Sequence, residues 1–149
     1  RNTPIASVYA NILVFKDYYK SLWFPYTMPI SDIYGLRTAL ENVKADPDRY
    51  ERHKQMGELT RRTVKEMGLS LYLENGYSNT VTVIRVPDGI KADDILELMK
   101  KDHNIMIAVS FDVLTGQVIR IGHMGENANE ADVKETLDAL QAVIRNLAA

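Results

Sequence analysis

Apolar residues recur every three or four positions through much of the chain, and this periodicity marks the helices. Ile33, Leu36, Leu40 and Val43 define one face of a helix expected from Ser31, a fitting N-cap followed by Asp32, to about Lys44. Asp46-Pro47 opens a second helix, with Asp as cap and Pro in the first helical position. Tyr50, His53, Gly57, Thr60, Val64 and Met67 follow at helical spacing, and Gly68 is its natural stop. A third helix is expected over Asp93–Lys101 with Ile95, Leu98 and Met99 inward, and a last one over Glu130–Leu147. The last carries the stripe Val133, Leu137, Leu140, Ile144 and Leu147, and Asn129 is its expected cap.

Between the helices, short β-rich or alternating runs bounded by turn residues read as strands. They cover Leu69–Leu73, Thr80–Val86, Asn104–Val109 and Gln117–Gly122, with turns at Glu74–Ser78 and Leu114-Thr115-Gly116. From Asp46 the order is helix, strand, strand, helix, strand, strand, helix. Such an order is an α+β layer: a small, mostly antiparallel sheet with helices on one face.

The first thirty residues are different. Tyr9, Phe15, Tyr18, Tyr19, Trp23, Phe24 and Tyr26 crowd into eighteen positions. A short helix over about Ser7–Lys20 is expected, then an irregular stretch, because Pro25 and Pro29 forbid a continuous helix. So many aromatics on so short a segment read as a surface that packs on further chain or on a second subunit.

Composition narrows the functional classes. The 149 residues are 46% hydrophobic, which supports a packed core and excludes disorder. A net charge of -2 argues against nucleic-acid binding, which needs a basic surplus. The absence of cysteine removes disulfides, thiolate metal sites and cysteine nucleophiles. No apolar run approaches the roughly 20 residues of a bilayer span and no signal-peptide pattern opens the chain, so the expected setting is the soluble cytoplasm. Arg1 stands where an initiator methionine would, which points to a processed chain or a fragment.

Phosphate-loop, dinucleotide-binding, nucleophile-elbow and zincin motifs are all missing. His53, His103 and His123 fall on separate elements without metal-ligand spacing, and surface or supporting positions are expected for them. Two stretches remain. In Gly116–Gly125, alternation puts Ile119 and Ile121 on one strand face and Val118, Arg120 and Gly122 on the other. A guanidinium in mid-strand matches a carboxylate or phosphate in two-pronged fashion. The alternative for Arg120 is a strand-edge arginine in a structural ion pair. In Phe24–Ser31, Thr27 sits between two prolines just ahead of a helix N-terminus, a setting suited to an anion. The alternative there is a proline-bounded loop that only packs its aromatics.

Together these stretches resemble the class V (fold-type I) pyridoxal-phosphate (PLP) aminotransferases, and within them the alanine–glyoxylate / serine–pyruvate group. The likeness lies in Tyr26–Ser31 running into Ile33–Leu40, in Thr80–Pro87 leading to the Asp93–Lys101 helix, and in Gly116–Gly125 before the terminal helix. It implies that Arg120 binds the α-carboxylate of an amino-acid or 2-oxo-acid substrate. It also implies that Thr27 reaches the cofactor phosphate across a homodimer. Phe24 stands where relatives often carry a phosphate-touching tyrosine, and Val109-Ser110 where they tend to carry glycines. By the same resemblance, residues 1–45 are the end of the large cofactor-binding domain with its linking helix, and residues 46–149 are the C-terminal small domain. The lysine that tethers PLP as a Schiff base has no match among the lysines here, so this stretch alone is expected to be inactive. The expected partners are a small amino acid and a 2-oxo acid such as glyoxylate or pyruvate, and a second subunit met through the N-terminal aromatic segment. The rival expectation is a stand-alone α+β binding or regulatory module that holds a small carboxylate at Arg120.

Overall fold

The computed structural model describes residues 7, 9–23 and 26–149. The chain divides into two compact units, Arg1–Ala45 and Asp46–Ala149.

In the first unit the helix expected over Ser7–Lys20 is broken. A 3-10 turn spans Ile12–Phe15 and a single helical turn, α1, spans Tyr18–Ser21. The Asn11 side chain accepts the Leu13 N–H at 3.1 Å and starts the 3-10 turn afresh, while Leu22 closes α1 in a left-handed conformation. Tyr26 stacks on Tyr9, with ring centroids 5.4 Å apart, and tilts against Phe15 at 6.0 Å. Helix α2, Ile30–Ala45, begins one residue before the expected cap. The Pro29 carbonyl accepts the Ile33 N–H, so Ser31 lies inside the first turn. No residue of α2 is buried, and its Ile33, Leu36, Leu40 and Val43 stripe is about half exposed along its length.

The second unit packs helices and a sheet around one core. Helix α3 covers Arg49–Glu66, β1 Val81–Arg85, α4 Ala92–His103, β2 Ala108–Val109, β3 Val118–Gly122 and α5 Glu130–Leu147. Asp46 does not cap α3. Its carboxylate takes a two-pronged grip from Arg52 at 2.8 and 2.6 Å, which holds it below the usual carboxylate range. Met56, Gly57, Thr60 and Val64 are the buried face of α3, whereas Tyr50, expected in that stripe, is exposed. Gly68, at φ 80°, stops the helix as its sequence position predicts, and the Leu69 N–H returns to the Val64 carbonyl.

The sheet is antiparallel in the order β1-β3-β2. The strand expected over Leu69–Leu73 is reduced to one bridge, Leu71 to Ile84, flanked by bonds from the Tyr72 N–H to Val83 and from the Arg85 N–H to Ser70. The next turn then diverts the chain, its Tyr77 hydroxyl donating to the Glu74 carbonyl. The strand expected from Asn104 starts only at Ala108, because Asn104 and Ile105 are spent on the left-handed exit from α4. Register pairs Ile84 with Ile119 and Thr82 with Ile121, so these four share one face. Ile84, Ile119 and Ile121 pack with Val64, Ile95, Met99, Leu137 and Leu140 of the three helices. Helices therefore lie on one face, as expected, and the other face carries Val83 and Arg120. No helix among the described residues is long and apolar enough to cross a membrane.

Candidate functional site

Arg120 occupies the middle of the central strand, opposite Val83 of β1 and Ala108 of β2. The same alternation that buries Ile119 and Ile121 turns its half-buried side chain to the face away from the helices. Its Nε and Nη2 groups donate to the Val109 carbonyl at 3.2 and 2.8 Å. Among the described residues no carboxylate pairs with it. The strand-edge ion-pair alternative is thus not what the fold builds: the strand is central and the anchor is a neutral carbonyl. Two of the five guanidinium N–H groups go to Val109, which leaves three donors and a whole positive charge for an incoming anion.

The chain leaving β3 is held in place. The Gly125 N–H donates to His53 Nε2 at 3.0 Å, and His53 Nδ1 in turn bonds the Arg49 carbonyl on its own helix. One histidine so links α3 to the glycine loop after Arg120, with Nε2 as acceptor and the proton on Nδ1. Gly125 has φ 60°, which a side chain would strain. His123 corrects the expectation of surface or supporting histidines: it is fully buried. Its Nε2 lies 2.9 Å from the Thr82 hydroxyl, its Nδ1 has no partner among the described residues, and burial pushes its pKa down. The ring lies against α3 at Gly57, where an added Cβ would stand 3.3 Å from His123 Cε1. Sequence reasoning missed this pairing, although a glycine in a helical core stripe signals a close neighbour.

Thr27 is exposed, three residues before the start of α2, and its hydroxyl makes no hydrogen bond among the described residues. It belongs to the first unit and Arg120 to the second. Phe24 lies outside the described residues. Among the described residues no group of three or more His, Asp or Glu side chains could hold a metal ion.

The chain as a whole is similar to known proteins. The serine–glyoxylate aminotransferase of Methylorubrum extorquens is 35% identical over 136 residues, 85% of this chain and 32% of that protein. The crystal structure of alanine–glyoxylate aminotransferase from Nostoc sp. superposes with a TM-score of 0.86 at 29% identity, over 97% of this chain and 40% of that one. The chain is a homologue of the serine/alanine–glyoxylate and related aminotransferases and corresponds to their C-terminal part. A further relative, from a Synechococcus strain, carries the name soluble hydrogenase, small subunit; it is 34% identical over 83% of this chain and 32% of its own length. The aminotransferase homologue thus spans about a third to two-fifths of the length of the relatives it matches. No protein-family model matches it.

Proposed function

We propose that this chain is the C-terminal part of a class V PLP-dependent aminotransferase that moves an amino group between a small amino acid and a 2-oxo acid such as glyoxylate or pyruvate. The observation that carries the reading is the Arg120 guanidinium, central in the sheet, tied to a neutral carbonyl and unmatched by any described carboxylate. A charge prepared in this way has a monocarboxylate as its natural complement. Arg120 binds the substrate carboxylate and fixes the direction of the Cα–H bond. Residues 46–149 are then the small domain, and residues 1–45 the end of the large domain with its linking helix.

PLP fits the remaining features. Thr27 offers a hydroxyl, unengaged among the described residues, close to a helix start, which suits one contact to the cofactor phosphate of a partner subunit. Phe24, beside it in sequence, lacks the hydroxyl for such a contact. When bound, PLP supplies the electron sink for the chemistry, and the residues of this chain supply grip and orientation. The exposed aromatic and aliphatic side chains of the first unit, with Tyr19 at 92% and Leu22 at 79%, support a homodimer formed through this segment.

Arg120→Ala in the whole enzyme is the test. Loss of a charged hydrogen-bonded pair should raise KM for the 2-oxo acid about 100-fold, on the order of 3 kcal/mol. Wild-type KM values in that variant would remove the assignment.

A further inference from the structure

Resting on the reading of Arg120 as a carboxylate grip, we propose that Phe111 is a second ligand-contacting residue of the same site, an aromatic cover that shields the guanidinium–carboxylate pair from water. Its ring centroid lies 6.0 Å from Arg120 Cζ, within the range of a cation–π contact. The ring is nevertheless 77% exposed, so little of it is spent on the protein's own packing.

This exposed aromatic is presented by a braced turn. Phe111 itself is extended, at φ -128°, and leads into a 3-10 turn over Asp112–Leu114. Asp112 takes a left-handed conformation at φ 56°, which a non-glycine residue adopts only with support from its surroundings. Neighbouring residues supply that support. The Thr115 N–H and hydroxyl both donate to the Asp112 carbonyl, at 3.0 and 2.7 Å, and Gln117 Nε2 donates to the Val113 carbonyl at 2.7 Å.

Phe111 and the Arg120 anchor are also two residues apart in sequence, since Val109 supplies the carbonyl that fixes the guanidinium. One short segment therefore does two things. Val109 occupies Nε and one N–H of Nη2, which leaves the terminal nitrogens to meet the ligand. Phe111 then stands beside the cation and lowers the local access of water, where an ion pair strengthens and salt screens it less. The ligand class this selects is a small monocarboxylate, such as a 2-oxo acid, whose carboxylate is its dominant charge.

The test uses the whole enzyme and sodium glyoxylate as probe, with sodium chloride at matched ionic strength as control. NMR follows the Arg120 side-chain and residue-111 side-chain signals. The wild-type enzyme should show saturable shifts at both residues, and Arg120→Gln should abolish those at residue 111. Phe111→Ala should weaken binding about three-fold, and its affinity should fall more steeply with added salt than that of the wild type. Phe111→Leu, which keeps apolar cover without a π face, should lie between the two. Unchanged affinity and unchanged salt dependence in Phe111→Ala, with Arg120 still responding, would overturn the role of Phe111 and leave the carboxylate grip standing. No response of Arg120 to glyoxylate in the wild-type enzyme would remove both. The exposure of Phe111 means that Phe111→Ala should keep the wild-type amide spectrum away from the turn, so a loss of affinity would not reflect a loss of fold.

Discussion

His123 places a titratable ring inside the core beside Gly57, its Nε2 bonded to the Thr82 hydroxyl and its Nδ1 without a partner among the described residues. Burial lowers its pKa from the ordinary 6.5, so the folded chain resists a proton that the unfolded chain accepts. Stability from this residue is complete above pH 6.5 and is lost as pH falls below that value toward the depressed folded pKa. The carboxylates of Asp46 and Glu130 are also held below their ordinary 3.8 and 4.5, by hydrogen bonds from Arg52 and Lys134 first of all. Their contributions disappear only at lower pH, so the two windows separate. His123→Gln, which can still meet the Thr82 hydroxyl, should flatten the decline in melting temperature between pH 7 and pH 5. An unchanged slope in thermal melts of that variant would show that the native state protonates His123 freely. At this scale the sequence was legible where side-chain alternation decides, as at Arg120. It was not legible where a backbone group is the partner: nothing in the residue types foretells that the Val109 carbonyl holds Arg120, because that contact depends on strand register.

Helix ends were legible at Gly68 and Asn129, where the signal is local, and not at Ser31 or Asp46, where the helices start elsewhere. Asn129 accepts the Asp132 N–H at 2.9 Å and donates from Nδ2 to both the Asp132 carboxylate and the Glu126 carbonyl. It therefore secures α5 and also ties it to the turn that follows the Arg120 strand. Asn129→Ala should cost about 1 kcal/mol, a typical loss for a cap, seen as a lower denaturation midpoint with an unchanged slope. An unaltered midpoint would mean that the α5 start is held by packing alone. The strands were read less well for a physical reason. Leu69–Leu73 has the right residues for a strand, yet pairing needs a partner of matching length and direction, and the chain turns away after one bridge. Asn104 shows the converse: a residue suited to the left-handed helix exit took the first two of the four positions lost from the strand expected there.

At the scale of the whole molecule the two units differ in where their apolar surface goes. Among the described residues every buried hydrophobic side chain, from Met56 to Val143, belongs to the Asp46–Ala149 unit. The Arg1–Ala45 unit instead exposes Tyr9, Tyr19, Leu22, Leu36 and Leu40, with no buried residue in its helices. A chain of residues 46–149 should therefore melt cooperatively, within the roughly 4 °C of the full 149-residue chain that a 1 kcal/mol change would bring. The full chain should self-associate with rising concentration in sedimentation experiments, and residues 46–149 should not, because the exposed stripe is absent from the shorter chain. Leu36→Glu with Leu40→Glu should suppress that association in the full chain without moving its melting temperature, since both side chains are more than half exposed. A shorter chain that fails to melt cooperatively would place part of the stabilising core in the first 45 residues. A full chain that stays monomeric at every concentration would mean that the aromatic segment and the α2 stripe are not an association surface, and the proposed subunit contact would have to lie elsewhere.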